Sequence, residues 1–149
     1  MNNQRRTVLK SGSGAALLGM LAAAGIITPG MALADWNKAA FDAKSMADTL
    51  KALGVAGTTD SKDVQVTGPD IAENGAVVPV GVASTLPNVT MVAILIEKNP
   101  NALAASFVLP EGTEANVQTR VKMGQTSNIY ALVKSDGKFF MATKEIKVT

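Results

Sequence analysis

The sequence contains few side chains that could perform chemistry. It has no cysteine and no histidine. For the residues present, this excludes thiolate nucleophiles, disulfides, histidine-based triads, thiolate zinc sites and imidazole proton shuttles. Most enzyme mechanisms are thereby removed, and we predict no catalytic residue, no metal site and no bound cofactor.

Two carboxylates, Asp70 and Glu73, are close enough in sequence to suggest a paired-carboxylate or metal site. They flank a Gly-Pro and an Asn-Gly turn, and no third ligand lies nearby, whereas cations held by oxygen need several. We therefore interpret them as solvated acids of a turn region.

The first 34 residues resemble an export signal. Arg5 and Arg6 precede a short apolar run that ends in Ala32-Leu33-Ala34, which matches a basic region, an apolar region and an A-x-A cleavage site. The paired arginines predict the twin-arginine route, cleavage between Ala34 and Asp35, and a periplasmic location. The alternative is a chance Arg-Arg pair before an uncleaved anchor, although the run is short and interrupted for a spanning helix.

The charge balance argues against nucleic acid as a partner. The chain has 14 basic and 12 acidic residues, and three of the basic ones, Arg5, Arg6 and Lys10, lie in the leader. Without them the chain is slightly acidic, so no basic binding surface is predicted, and after cleavage no membrane contact is expected.

Residues 35–54 predict one amphipathic helix that docks on the protein's own sheet. Apolar residues recur at three- and four-residue intervals from Trp36 to Leu53, with charged residues largely on the other side. Asp35 is a candidate N-cap, and Gly54 is expected to take the left-handed conformation that ends a helix. A membrane-surface helix is the alternative, but its polar face would be rich in Lys and Arg.

Residues 55–149 predict a mainly β domain, an antiparallel immunoglobulin-like sandwich of about seven strands. The strand Val89–Ile96 is apolar on both faces and is expected in the middle of a sheet, with Val89, Met91, Ala93 and Leu95 sharing one face. The other expected strands are Asp63–Thr67, Ala76–Ala83, Ala104–Leu109, Val117–Met123, Asn128–Lys134 and Lys138–Val148.

Turn and proline chemistry refines this expectation. Asn74-Gly75 and Asp136-Gly137 are the strongest turn signals because they tolerate positive φ, and the second should join the last two strands as a hairpin. Pro79 cannot donate to a ladder, which predicts an edge strand or a bulge there.

Six segments of the mature chain form a distinctive set: 69–80 (PDIAENGAVVPV), 86–89 (LPNV), 97–100 (EKNP), 104–107 (AASF), 120–123 (RVKM) and 137–140 (GKFF). Together they resemble the SoxY family, the sulfur-carrier subunits of the periplasmic thiosulfate-oxidising system. The resemblance runs from the helix to Thr149 and includes the paired-arginine leader.

The resemblance implies an immunoglobulin-like sandwich paired with a SoxZ-like subunit as a heterodimer. It implies transient contacts with a haem-containing ligase, a thiosulfohydrolase and a sulfur dehydrogenase. It also implies a carrier cysteine in a Gly-Gly-Cys-Gly-Gly arm just beyond a Lys-Val-Thr sequence, for which Lys147, Val148 and Thr149 are the matching anchor. The sequence departs from the family at that point, because Thr149 is its last residue.

No residue present can take over the carrier function. The hydroxyls of Ser135, Thr143 and Thr149 lack the acidity and soft nucleophilicity of a thiolate. Two hypotheses follow: a non-enzymatic carrier scaffold whose natural chain continues into a cysteine arm, or a structural or binding sandwich that carries no sulfur. A stand-alone hydrolase is disfavoured by the missing His and Cys.

Overall fold

The computed structural model describes residues 37–149. The predicted signal peptide with Arg5, Arg6 and Ala34, and the predicted mature N-terminus Asp35, lie outside the described residues. The described elements are α1 (Lys38–Asp42), α2 (Met46–Ala52), β1 (Thr59–Asp60), β2 (Val64–Thr67), β3 (Ile71–Ala72), β4 (Val78–Ser84), β5 (Val89–Ile96), β6 (Leu103–Val108), β7 (Asn116–Val121), β8 (Ser127–Ser135) and β9 (Lys138–Val148).

Two sheets pack face to face, which confirms the predicted sandwich. The larger sheet has the order β1-β9-β8-β5-β6, with β3 also pairing with β9, and the smaller has the order β2-β4-β7. All pairs are antiparallel except β1 and β3, which run parallel to β9. The seven expected strands are all present, and the short strands β1 and β3 add to them.

The strand β5 lies between β8 and β6, as its two apolar faces predicted. Val92, Ile94 and Ile96 belong to the core between the sheets, and Ala93 and Leu95 belong to a second cluster on the outer face of the larger sheet.

The prediction that Val89 shares a face with Met91, Ala93 and Leu95 is wrong. The register with β8 shifts between Val89 and Met91, and the extra residue, Thr90, turns Val89 into the core between the sheets.

The expectation of one continuous N-terminal helix is wrong, because the segment forms α1 and α2. Ala43 is extended, with φ −60° and ψ 135°, and the Ser45 hydroxyl accepts the Asp48 N–H at 3.1 Å as the N-cap of α2. An N-cap residue needs non-helical backbone, so this capping bond competes with continuation of α1. Gly54 has the expected positive φ, 77°.

The two helices cover the outer face of the larger sheet. Ala40 is fully buried against Ala93, Leu95 and Leu132, with Phe41 and other residues of the helical segment packed around them. Neither helix within residues 37–149 is long and apolar enough to cross a bilayer.

The expectation that Pro79 marks an edge strand or bulge is wrong, since β4 is the central strand of the smaller sheet and its pairing is continuous. Pro79 pairs with Arg120 of β7, but β2 reaches only as far as Gly81 on the other side. Pro79 therefore lies where β4 has no second neighbour in the described part of the chain, and its missing N–H costs no ladder bond.

The hairpin at Asp136-Gly137 is confirmed. Both residues have positive φ, 47° and 76°, and Ser135 pairs with Lys138 across the turn, as a two-residue hairpin requires. The alternation expected for β7 is also found, with Val121 buried and Gln118 and Arg120 exposed.

Candidate functional site: the end of the last strand

The last residues of β9 are held by hydrogen bonds on both sides. On one side, the Lys147 N–H donates to the Asp70 carbonyl at 3.0 Å and the Thr149 N–H donates to the Ala72 carbonyl at 3.2 Å. On the other side, the Val148 N–H donates to Thr126 Oγ1 at 3.0 Å. The backbone N–H of each of the three predicted anchor residues is thus bonded.

The same strand end is packed from below. Ile146 is fully buried, and Phe140, Ala142 and Val148 pack against the same core. These residues have one parity along β9, as their spacing in the sequence indicated. The strand therefore keeps its register as far as Val148.

Gly75 packs closely against Met123 and Val148 at the end of β9. A Cβ on Gly75 would lie 2.4 Å from the Met123 carbonyl oxygen and 2.8 Å from Val148 Cγ1. The Gly75 carbonyl also accepts the Met123 N–H at 2.7 Å.

The turn expected at Asn74-Gly75 exists, since the Ala76 N–H donates to Asn74 Oδ1 at 3.0 Å. Its expected positive φ is wrong, because neither Asn74 nor Gly75 is among the residues with positive φ. The glycine is needed for the close approach of other chain segments.

One ion pair borders the strand end. Lys144 Nζ lies 2.8 Å from Asp70 Oδ1, and the Asp70 side chain is 91% exposed. The hydrogen bond from Lys144, together with its positive charge, lowers the pKa of Asp70 below its ordinary value. Asp70 is thus held ionised beside the backbone carbonyl that binds Lys147.

The structure assigns a solvated position to Asp70 and Glu73, which are both exposed. Within residues 37–149, no group of three or more Asp or Glu side chains is placed to hold a metal ion. The Ser135 hydroxyl is buried and donates to the Pro87 carbonyl at 2.5 Å, which is a structural contact. Thr143 and Thr149 are exposed.

The family resemblance singled out Lys147, Val148 and Thr149, and their role as the anchor of an arm stays a prediction. The residues that bind them were not predicted. Thr126 and Ala72 carry no motif, because their importance comes from pairing with residues more than 20 positions away. The arrangement provides a strand end held by hydrogen bonds on both sides, and the described part of the chain contains no thiol.

Comparisons with known proteins identify the family to which the sandwich is similar. The family model of SoxY, described as sulfur oxidation protein SoxY, matches residues 50–149. The solved structure of the sulfur carrier protein SoxY from Chlorobium limicola f thiosulfatophilum is 34% identical with a TM-score of 0.62, and the match covers 69% of this chain and 96% of that chain. Among curated proteins, none matches the chain.

More distant structures share the fold alone. A superoxide reductase (neelaredoxin) from Ignicoccus hospitalis is 17% identical with a TM-score of 0.53, covering 58% of this chain and 80% of that chain. Its E23A variant is 20% identical with a TM-score of 0.53, covering 66% and 87%. The SoxY match spans two thirds of the sequence and includes the whole sandwich from β1 to the end of β9, so the chain belongs to the SoxY family of sulfur oxidation proteins.

Proposed function

We propose that this chain is the scaffold of a periplasmic sulfur carrier in thiosulfate oxidation. It holds sulfur intermediates covalently on a cysteine in a short glycine-flanked arm that follows Thr149, and it has no catalytic turnover of its own. Membership of the SoxY family supports the carrier function, and so does the similarity to the sulfur carrier protein SoxY from Chlorobium limicola.

The single observation that carries the proposal is the hydrogen bonding of the end of β9 on both sides. Lys147 and Thr149 are bonded to the segment around β3, and Val148 is bonded to Thr126. An arm leaving this point starts from a fixed position and direction. Five or six extended residues reach roughly 15 to 20 Å, so all motion of the cargo comes from the arm.

The carrier atom must be a thiolate sulfur, which the residues present do not supply. A cysteine thiol has a reference pKa of about 8.5, and its thiolate is both soft and nucleophilic. Glycines on both sides widen the accessible φ/ψ range and leave no side chain to block entry into a narrow active site. One sulfur atom can then be presented to several enzymes in turn.

The proposed partners are a SoxZ-like subunit, as a stable heterodimer, and the haem-containing ligase, thiosulfohydrolase and sulfur dehydrogenase as transient contacts. Association with SoxZ and the Sox system follows from the family. The proposed location is the periplasm, reached by the twin-arginine pathway that Arg5 and Arg6 address.

The experiment reads the codons after Thr149 and measures the intact mass of the exported protein before and after incubation with thiosulfate and the ligase. A cysteine arm together with a mass increase that dithiothreitol removes supports the carrier. The 149-residue form should gain no mass under the same conditions.

The second candidate is a structural or binding sandwich that carries no sulfur, and it is favoured by the absence of cysteine from the sequence. A stop codon directly after Thr149 would establish this candidate and refute the carrier. A sulfur adduct on the 149-residue form would refute the claim that the scaffold alone cannot carry.

A further inference from the structure

The strand β6 forms an open edge of the larger sheet. It pairs with β5 on one side and stands last in the strand order, so no strand among residues 37–149 occupies its other side. From Asn99 to Pro110 the chain contains no charged residue. Edge strands are usually protected against pairing by charged side chains, prolines or bulges. Here a register shift opposite Ile94 and Leu95 disturbs only the beginning of the strand.

The backbone of β6 has hydrogen-bonding groups directed away from the sheet. The Leu109 N–H donates to the Thr90 carbonyl at 2.9 Å, and antiparallel ladders alternate between bonded and non-bonded pairs. Ser106 and Val108 therefore direct their N–H and C=O groups toward the open side. A further strand could add there without any rearrangement of β6.

One side chain on this edge, that of Val108, is unusually exposed. Val108 is 80% exposed, more than the other large apolar residues exposed within residues 37–149, Ile71 and Val77. Together with the outward backbone groups and the lack of charge, this valine leaves the edge without the usual protection against pairing with another strand.

A basic cleft of about 260 Å³ adjoins the edge. Its walls come from β6 and β7 and the turn before β6, and they include two cations and no carboxylate: Asn99, Asn101, Leu103, Ala104, Ala105, Thr119, Arg120, Val121 and Lys122. The side chains of Arg120 and Lys122 are exposed, and neither forms an ion pair with another residue in the described part of the chain. The cleft therefore attracts negative charge.

We infer that β6 is the docking edge for a β-strand of a second, different protein that places carboxylates opposite Arg120 and Lys122. This rests on the proposed function, since the occupant is the partner subunit of the proposed heterodimer. A second copy of this chain fits less well. If β6 paired with the β6 of a second copy about a twofold axis, both smaller sheets would lie on the same side of the joined larger sheet. Arg120 and Lys122 would then face their own copies, and the like charges would repel.

The test measures the Kd between this chain and a SoxZ-like subunit by calorimetry at low and moderate salt. Val108→Lys places a charge at the strand edge without touching the core, and we expect it to weaken binding at least about tenfold, which corresponds to about 1.4 kcal/mol. The matched control is Val77→Lys, at a valine that is 51% exposed elsewhere on the surface, and it should change the Kd less than about twofold.

Two further variants separate the backbone and charge contributions. Ser106→Pro removes an outward N–H without removing a bond to β5, and it should weaken binding while leaving the unfolding midpoint nearly unchanged. Arg120→Glu with Lys122→Glu should weaken binding and reverse its salt dependence, because carboxylates would then face carboxylates and salt would screen the repulsion. Lys62→Glu, an exposed lysine in the turn before β2, is the charge control.

The outcomes separate this surface from the proposed function. If the unaltered chain does not bind the SoxZ-like subunit, the proposed heterodimer is refuted. If it binds and Val108→Lys and the Arg120 and Lys122 changes leave the Kd unaltered, the heterodimer stands and β6 is not its docking edge. A dimer of the chain alone that Val108→Lys dissociates would overturn the assignment to a different protein.

Discussion

Thr126 and Val148 are joined through a single hydroxyl that takes the place of a strand neighbour. The Val148 N–H donates to Thr126 Oγ1 at 3.0 Å, and the same hydroxyl lies 3.5 Å from the Val148 carbonyl oxygen. The strand β8 begins at Ser127, which pairs with Ile146. The ladder between β8 and β9 therefore ends before Val148. The Thr126 side chain extends the pairing of β9 by two residues.

Thr126→Val should loosen the end of β9. The substitution keeps the shape and removes the acceptor of the Val148 N–H, so we expect a loss of about 1 kcal/mol in the free energy of unfolding. Urea unfolding measures this loss, and the Val148 amide chemical shift reports the broken bond. Thr143→Val, at an exposed position of the same strand, is the control and should change stability by less than about 0.5 kcal/mol. Equal effects of the two substitutions would contradict the bridging contact.

Gly75→Ala should destabilise the fold through a steric clash. The new methyl would meet the Met123 carbonyl at 2.4 Å, and relief of such overpacking costs about 1 to 3 kcal/mol.

Gly124→Ala is the matched control, since a Cβ there has no neighbour within 4 Å and no positive φ is involved. It should be neutral or slightly stabilising. Thermal unfolding of both variants measures the difference in stability. A Gly75→Ala protein as stable as Gly124→Ala would contradict the predicted steric clash.

The pKa of Asp70 should depend on Lys144. In the folded protein, the hydrogen bond and charge of Lys144 hold this pKa below its ordinary value. A lowered folded pKa stabilises the fold above the ordinary value, and this contribution is lost as the pH falls through the lowered value. Lys144→Met should therefore raise the pKa of Asp70. The free energy of unfolding that this variant loses relative to the unaltered protein should become smaller below about pH 4.

An NMR titration of the Asp70 carboxyl carbon measures the first effect, and urea unfolding across pH measures the second. Lys147→Met, on an exposed lysine of the same strand, is the control. A pKa for Asp70 that Lys144→Met leaves unchanged would contradict the assigned cause.

Export should depend on the identity of Arg5 and Arg6, not on their charge. The twin-arginine receptor reads the pair as an address, so replacement of both by Lys should leave the precursor in the cytoplasm. Cell fractionation with N-terminal sequencing provides the measurement. Full periplasmic yield of the double-lysine protein, with its N-terminus at Asp35, would refute the twin-arginine assignment.

Local patterns were sufficient to predict most of the β elements. The bounds of β5 and β9 agree with the sequence expectation because each is a run of consistent parity closed by turn residues. The Asp136-Gly137 hairpin follows from local chemistry in the same way.

Effects that depend on distant partners were not predictable. The bulge that turns Val89 inward depends on pairing with β8, and the central position of Pro79 depends on the length of β2. The break between α1 and α2 coincides with the side-chain cap at Ser45, which the continuous apolar stripe does not reveal. At the candidate site, the anchor residues came from the family resemblance, whereas Thr126 and Gly75 act through contacts that only the folded chain creates.

The position of β5 also determines which backbone amides can exchange with solvent without global unfolding. Its backbone lies between two strands, and its side chains are covered by the smaller sheet on one face and by the helical segment on the other. Amide hydrogens there cannot meet solvent through fraying of an edge, so Ile94 and its neighbours should exchange with deuterium only through global unfolding. The outward amides of Ser106 and Val108 should exchange orders of magnitude faster, although they belong to the adjacent strand of the same sheet.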